Sequence, residues 1–436
     1  MAKPNLLIVG AGGVGAVAAH KAAQFAEDFG SIALAGRTEA KLQQVARDVA
    51  GRNPDITLGR DLVTETLDAR DREQVSDLIR KVDAGIVLNL ATPYCNTAIM
   101  DACIETGADY IDTAVAEEEH VENVPAPWYA NFEWPRKAEF DKADANAVLG
   151  IGFDPGVVNI FCTYAKRHLL DEIESIDIID VNGGDHGRYF ATNFDPDTNL
   201  REIREDVIYW EDGEFKTIPH HSRKMTVELP VVGQHDVYSM GHDELHSLPR
   251  AFPEAKRIEF WMGFGERYLR VFDVLENLGL ISSIPVEVEG VKIAPLKMVK
   301  AVLPDPATLA EGYTGEVCIG CDIRGTKDGK PRRIFIYSTC DHTECFREVG
   351  SQAISYTTGV PAVAAALLLA RGEWNPQTMV NVEELDPDPY LDLMPEVGID
   401  WKVMDLPLDG SWPGMSGHNS AGAAHGAGHG SGQGAS

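Results

Sequence analysis

Between Leu6 and Ala23 the chain passes from an unbroken apolar run, Leu6-Leu7-Ile8-Val9, to a small-residue helical pattern carried by Ala18, Ala19, Ala22 and Ala23. The join holds glycines at G-x-G-x-x-G spacing, Gly10, Gly12 and Gly15, with Gly13 and Val14 between the last two. Strand, glycine turn and helix in that order leave few folds open. The first glycine permits a tight turn, the second lets backbone approach a pyrophosphate, and the third lets helix and strand pack closely. The helix start adds free N–H groups and the positive end of its dipole. The expectation is a doubly wound, Rossmann-type parallel sheet that binds a dinucleotide.

The next strand signal, Ile32-Ala33-Leu34-Ala35-Gly36, ends about twenty residues after the glycine turn, where an NAD site places a carboxylate for the ribose hydroxyls. Here Gly36 leaves space, Arg37 brings a guanidinium, Thr38 a hydroxyl and Lys41 a second cation. A carboxylate would repel a 2′-phosphate, whereas Arg pairs with it and stacks on adenine. The expected cofactor is therefore NADP(H). Residues 62–68, 85–91, 110–113 and 147–151 read as further strands, with helices at 72–81 and 96–106. In such sheets ligands lie off the carboxyl ends of the strands. That rule points to Asp68 and Ala69 for the adenine end. For the nicotinamide end it points to Ala91, Thr92, Pro93, Tyr94 and Asp112, and to the Gly152-Phe153-Asp154-Pro155-Gly156 turn.

Past residue 156 the pattern changes. A helix at 157–170 precedes longer strands at 173–181, 225–228, 258–263, 316–324 and 333–339, and Asp328-Gly329 between the last two marks a hairpin. This reads as a second, α+β domain with a mostly antiparallel sheet, spanning 156–345. The first domain spans 1–155 and is completed by 346–408, with a helix at 346–371 and an acidic, proline-punctuated stretch at 379–393. Residues 411–436 are rich in Gly, Ser, Ala and His and read as a disordered or linker-like tail.

The formal net charge of −30 over 436 residues argues against nucleic acid and anionic membranes, and favours cationic small molecules. No apolar run approaches the roughly 18 residues a membrane span needs. The best stretch, 360–370, contains Pro361. The first strand begins by Asn5, which leaves no signal peptide. Seven cysteines without small-scaffold spacing suit reduced thiols in a cytoplasm.

The segment from Cys340 to Pro361 resembles the carboxynorspermidine/carboxyspermidine dehydrogenases, members of the saccharopine dehydrogenase-like reductases. So do Ala191-Thr192-Asn193-Phe194-Asp195-Pro196 and the stretch from Val380 to Pro389. The resemblance covers essentially the whole chain before Ser411. One departure is Cys345-Phe346, where the family often has Ala-Tyr. The resemblance implies reductive condensation of L-aspartate β-semialdehyde with 1,3-diaminopropane or putrescine, driven by NADPH, in a homodimer. Alternatives are a saccharopine- or opine-type dehydrogenase using an amino acid as the amine, and a non-catalytic NADPH-binding regulator.

Such a reaction needs a cation for the aldehyde's carboxylate, proton carriers for dehydration, and acceptors for the distal ammonium. Arg201 is the expected carboxylate clamp, near Asn193 in the stretch marked by the resemblance, with Arg204 as its alternative. Asp154, Asp112, Tyr94, Cys95 and His186 are the candidate proton carriers. Asp185, beside His186, joins Asp195, Asp197, Glu202 and Asp206 as candidates for the ammonium. Cys318, Cys321, His342 and Cys345 do not read as a metal site, because strand residues three apart face opposite ways. His220, His221, His242 and His246 read as solvated loop histidines. Trp261 and Phe264 read as core or interface.

Overall fold

A computed structural model describes residues 3–118 and 124–413; the expected tail beyond 413 lies outside the described residues. Strand β1 (Asn5–Val9) alternates Leu6 and Ile8 to one face with Leu7 and Val9 to the other, and all four are buried. A strand apolar on both faces belongs inside a parallel sheet covered by helices on both sides. Helix α1 (Gly13–Gln24) covers one side and buries Val17, Ala18, Ala19, Ala22 and Ala23. The other strands are β2 (Ile32–Gly36), β3 (Leu62–Thr66), β4 (Ala84–Asn89), β5 (Asp109–Asp112) and β6 (Ala147–Leu149). With Met379–Asn381 they form a seven-stranded sheet in the order 379–381, β6, β5, β4, β1, β2, β3, every pairing parallel. Strand order reverses at β1, flanked by β2 and β4, which is where such sheets open a crevice.

The second sheet has nine strands and is antiparallel except where Arg257–Gly263 runs parallel to Glu172–Asn182. The Asp328-Gly329 turn closes the long hairpin of Glu316–Lys327 and Lys330–Asp341, both residues taking positive φ (51° and 72°). The expected fold class, a Rossmann-type sheet joined to an α+β unit with a mostly antiparallel sheet, is the one observed. The return segment divides between the sheets, because Met379–Asn381 pairs with β6 whereas Trp401–Asp405 pairs with Lys330–Asp341. Seven strands escaped the sequence reading: 207–211, 214–218, 233–240, 286–288, 291–293, 379–381 and 401–405. Most are short or carry alternating exposed polar residues, so the apolar signal is weak.

The expected helix at 346–371 is two helices, His342–Val349 and Ala353–Arg371, parted by Gly350 at φ 72°. Asp341 accepts from the Glu344 N–H (2.9 Å) and Gln352 from the Ile354 N–H (2.7 Å), so each half has its own N-cap. Ala353–Arg371 is long and apolar enough to cross a membrane by length and composition, more than the 360–370 stretch suggested, yet most of it is buried inside the protein. It touches β4 and β5 of the first sheet and both strands of the long hairpin. One continuous apolar core therefore joins Leu6 and Ile8 of the first sheet to Ile176, Ile178 and Phe260 of the second.

Candidate active site

Gly10 sits at φ 118°, and a Cβ there would lie 2.4 Å from the Leu90 carbonyl oxygen, so only glycine fits where β1 and β4 meet. A Cβ on Gly15 would lie 1.8 Å from the Gly10 oxygen, so this glycine sets the approach of α1 to the turn. Gly12 is different. It is the helix N-cap, has no side chain to satisfy the first N–H groups, and a Cβ there would meet nothing within 4 Å. Open space over unsatisfied donors fits a pyrophosphate. Gly13 and Val14 begin the helix, Gly13 facing Ser355 and Val14 facing Gly359 of the long helix.

At the end of β2, Gly36 faces Ala11, and Thr38 caps the next helix without a side-chain bond. Arg37 and Lys41 are exposed and make no ion pair among the described residues. Two uncommitted cations here suit a 2′-phosphate. After β3, Asp68 turns back to accept from the Arg70 N–H (3.2 Å), and Ala69 is buried. After β4, the Ala91 N–H donates to Asn89 Oδ1 (3.1 Å), fixing the loop of Thr92, Pro93 and Tyr94. Cys95 is buried with its sulfur 3.8 Å from Thr92 Oγ1.

Polar groups from both parts of the chain meet near the ends of β5 and β6, where the Val115 N–H bonds to Asp243. Asp112, at the tip of β5, is 1% exposed and accepts from the Gly150 N–H (2.7 Å), while its Oδ2 has no partner. Burial raises its pKa to about 7. Helix Pro196–Arg204 buries Leu200 and Ile203 in the shared core, which leaves Arg201 and Glu202 toward the cleft. Arg201 Nη2 lies 2.6 Å from Glu117 Oε2, and Tyr94 contributes to its electrostatic surroundings. Burial opposes the charge on Arg201, but Glu117 outweighs it and keeps the guanidinium ionised.

Around these lies a set of carboxylates. Register places Asp180 opposite Met262 and Ile319, two positions beyond Ile178, so it ends the apolar inner face of the second sheet. His242 stacks on Phe260 (centroids 4.1 Å apart), and its Nδ1 lies 2.6 Å from Glu244 Oε2. Burial opposes protonation of His242, but Glu244, Asp154 and Glu202 together hold its pKa well above the usual value. Burial raises Asp180 to about 7 and Glu202 to about 8, and lifts Asp154 well above the ordinary carboxyl range, with Asp180 adding to the last shift. Asp243 accepts from the Val115 N–H (2.8 Å), tying the loop after β5 to the second domain.

Asn193, His186 and Asp185 lie on the other side of this helix, in a connected polar network. The Ala353 N–H donates to His342 Nδ1 (3.1 Å), which assigns the ring proton to Nε2, 3.0 Å from Asn182 Oδ1. Asn182 Nδ2 donates to the Tyr313 hydroxyl (2.8 Å), which donates to Asn193 Oδ1 (2.9 Å). Gln352 donates to the Asn193 carbonyl (2.9 Å). His186 packs edge-on against Tyr313 with its Nδ1 accepting from the Arg188 N–H (3.1 Å), and Asp185 caps the Gly187 N–H (2.7 Å). These bonds account for their local roles as loop-forming groups.

Of the expected site residues, Arg201 lies within electrostatic reach of Tyr94 and Glu202, and Glu202 and Asp154 share His242 as a neighbour. Asp195 bonds to Lys300 (2.6 Å), and the side chain of Asp197 lies outside the described residues. Arg204 donates to the Ile281 carbonyl (3.3 Å), so it anchors its helix. The reading of His242 and His246 as solvated is corrected. His246 is 1% exposed and stacks on Trp128, and His242 has a carboxylate two residues on, a His-x-Glu signal at a strand end. Asp180, Glu117 and Glu244 also went unread. The Cys345-Phe346 departure lies away from the cleft, with Phe346 lining a recess of about 510 Å³ beside His20 and Arg52.

Sheet order, glycine turn and cleft together define an NADP-dependent oxidoreductase. Residues 6–148 match the saccharopine dehydrogenase NADP-binding domain, and residues 152–399 match the saccharopine dehydrogenase C-terminal domain. The chain belongs to the saccharopine dehydrogenase family. It is 47% identical to a carboxynorspermidine synthase of Vibrio alginolyticus, over 92% of this chain and 97% of the relative. It is 45% identical to a carboxyaminopropylagmatine dehydrogenase of Synechocystis, over 91% and 96%. Its fold matches apo saccharopine dehydrogenase (L-Glu forming) from Saccharomyces cerevisiae at TM-score 0.65 and 16% identity, covering 93% of this chain and 100% of that one. The resemblance read from residues 340–361 is thus borne out.

Proposed function

We propose that this enzyme condenses L-aspartate β-semialdehyde with a primary diamine, 1,3-diaminopropane or putrescine, and reduces the product with NADPH to carboxynorspermidine or carboxyspermidine in polyamine biosynthesis. The observation that carries this reading is one guanidinium, Arg201, set among buried carboxylates beside the nicotinamide end of the cleft. An aldehyde with an amino-acid carboxylate needs the cation, and a polyamine precursor needs the anions. The close relatives support the same chemistry.

NADPH, held by the glycine turn and the cations after β2, would supply hydride to the carbon of the carbon–nitrogen double bond, leaving a secondary amine. Arg201 orients the aldehyde through its carboxylate. The amine attacks as its free base, and Asp154, which burial favours in its protonated form, gives its proton to the carbinolamine hydroxyl, which leaves as water, and regains a proton afterwards. His242, held protonated by Glu244, sits beside it as the proton reserve. Tyr94 lines the reacting centre. Asp112 and Cys95 hold the surrounding loops in place, through Gly150 and Thr92.

The test is NADPH oxidation by purified protein with aspartate semialdehyde and each of diaminopropane, putrescine, agmatine, lysine and glutamate. Oxidation dependent on a diamine is expected. Oxidation only with lysine or glutamate overturns the polyamine reading, and agmatine dependence would align the chain with the Synechocystis relative. We also read a cytoplasmic homodimer. All seven cysteines are buried thiols without a disulfide. Leu278, Ile284, Val286, Val288, Val291 and Val302 are exposed on one arm, and its hairpin of Val286–Val288 and Val291–Ile293 pairs with no other strand among the described residues. A lone two-strand hairpin is marginal without further packing. Ile284→Asp with Val288→Asp should give a monomer by sedimentation.

A further inference from the structure

On strand Glu172–Asn182 the apolar inner face of the second sheet gives way to a carboxylate. Ile176 and Ile178 enter the shared core, and the next residue on that face is Asp180. Its Oδ1 is shielded from solvent and has no hydrogen-bond partner. Glu244 repeats the anomaly from another element. It is fully buried, one oxygen is bonded to His242, and Oε1 has no partner. Burial without a partner is costly for a carboxylate, so two such oxygens in one neighbourhood mark a site shaped for a donor that comes from outside. Glu202 reaches the same place from helix Pro196–Arg204, and Asp154 from the turn after β6; both interact with His242.

Arg201 acts on Glu202 through space but makes no hydrogen bond or ion pair with Asp180, Glu202 or Glu244 among the described residues. Its guanidinium is turned to Glu117 at 2.6 Å and to Glu205 at 3.4 Å. Among the described residues the cation that acts on all four carboxylates, Asp154, Asp180, Glu202 and Glu244, is His242, with Arg201 reaching Glu202 alone. Asp243, the nearest further carboxylate, is already bonded to the Val115 N–H. The set therefore lacks positive charge and lacks donors.

Resting on the polyamine reading, we propose that Asp180, Glu202 and the free oxygen of Glu244 form the receptor for the non-reacting, cationic end of the amine substrate. With Arg201 taking the aldehyde's carboxylate and these carboxylates taking the amine's distal cation, the two substrates enter with their charged ends apart and their reactive ends together. The site then selects amines by the distance between their two nitrogens, with Asp154 at the reacting end. An ammonium is the expected occupant; a guanidinium is the other cation that these carboxylates would accept.

Steady-state kinetics on the full-length enzyme tests the assignment. Asp180→Asn and Glu202→Gln should each raise the KM for 1,3-diaminopropane about tenfold or more, as expected for losing one charge-assisted contact, with KM for NADPH and semialdehyde held within about twofold. n-Propylamine, which lacks the second nitrogen, should be a poor substrate of the parent enzyme and equally poor with both variants. A shift in the semialdehyde KM equal to the diamine shift would overturn the receptor, since the carboxylates would then act at the reacting centre. So would a variant that loses as much with propylamine as with diaminopropane. Calorimetric titration of diaminopropane into the NADP+-loaded protein reads the receptor without turnover. Undiminished affinity in Asp180→Asn refutes it, whereas diamine binding without oxidation in the parent refutes the reaction and leaves the receptor standing. Substituting agmatine in both assays separates a guanidinium receptor from an ammonium one.

Discussion

The two ends of the cleft carry opposite charge in opposite surroundings. At the β2 end, Arg37 and Lys41 stand exposed and uncommitted at the surface. At the β5–β6 end, Asp112, Asp154, Asp180, Glu202 and Glu244 crowd into a poorly hydrated space, and burial pushes most of them toward their neutral forms. The exposed end offers a phosphate screened cations and backbone geometry, so single side chains there are expected to matter modestly. The buried end works at low dielectric, where each charge is felt by its neighbours and its loss is costly. Cofactor choice and substrate chemistry are thereby separated along one edge of one sheet.

If that contrast holds, the largest effects belong to the buried end. Asp154→Asn should lower kcat by about 100-fold to 10,000-fold while leaving NADPH affinity unchanged, the range for losing a positioned proton carrier. A kcat within threefold of the parent would return Asp154 to a purely local role in its turn. Arg201→Ala should raise the semialdehyde KM about 100-fold, because the carboxylate loses its cation and Glu117 is left without its partner. An unchanged KM with normal kcat would remove the clamp. At the exposed end the effect is expected to shrink. Arg37→Ala should raise the NADPH KM about tenfold and leave the NADH KM nearly unmoved, measured side by side at fixed ionic strength. Equal losses for both cofactors would mean that Arg37 does not read the 2′-phosphate.

The same contrast explains what the sequence made legible. Gly10, Gly12 and Gly15 act within a few residues of one another, and Arg37 stands at the end of a strand whose apolar pattern is plain, so local spacing reveals them. Arg201 was readable because the motif beside it resembles a family. Asp180 was not, because a single carboxylate ending an Ile-x-Ile face looks like an ordinary strand end until the sheet is assembled. His242 and Glu244 follow Gly233–Met240, a strand whose polar alternation hid it. Their function depends on Asp154 and Glu202 arriving from separate elements, which no local pattern encodes. The motif from Cys340 to Pro361 was the clearest family signal, yet its side chains mostly brace the site. His342 and Gln352 hold the Asn193 loop, Ser355 faces the glycine turn, and Tyr356 donates to Glu348 (2.6 Å), which in turn pairs with the buried Lys21 of α1.

The smallest effect expected is one on stability, and it tests whether the acidic end is strained when empty. Unfolded, the Asp180 carboxyl titrates near 4; folded, burial first and then Glu244, against the pull of His242, bring it to about 7. Between those values the folded enzyme keeps a proton that the unfolded chain has lost. The contribution to stability is therefore fully present below about pH 4, falls as pH rises toward 7, and stays lost above that. Asp180→Asn has no such proton to lose. Its thermal midpoint should gain on that of the parent by a few degrees between pH 5 and pH 8, in a chain of this size. Adding diaminopropane at pH 8 should close the gap, because the cation stabilises only the parent's carboxylate. A gap that does not change with pH would mean that Asp180 is already ionised and solvated in the empty cleft, and the two ends would then differ in charge but not in surroundings.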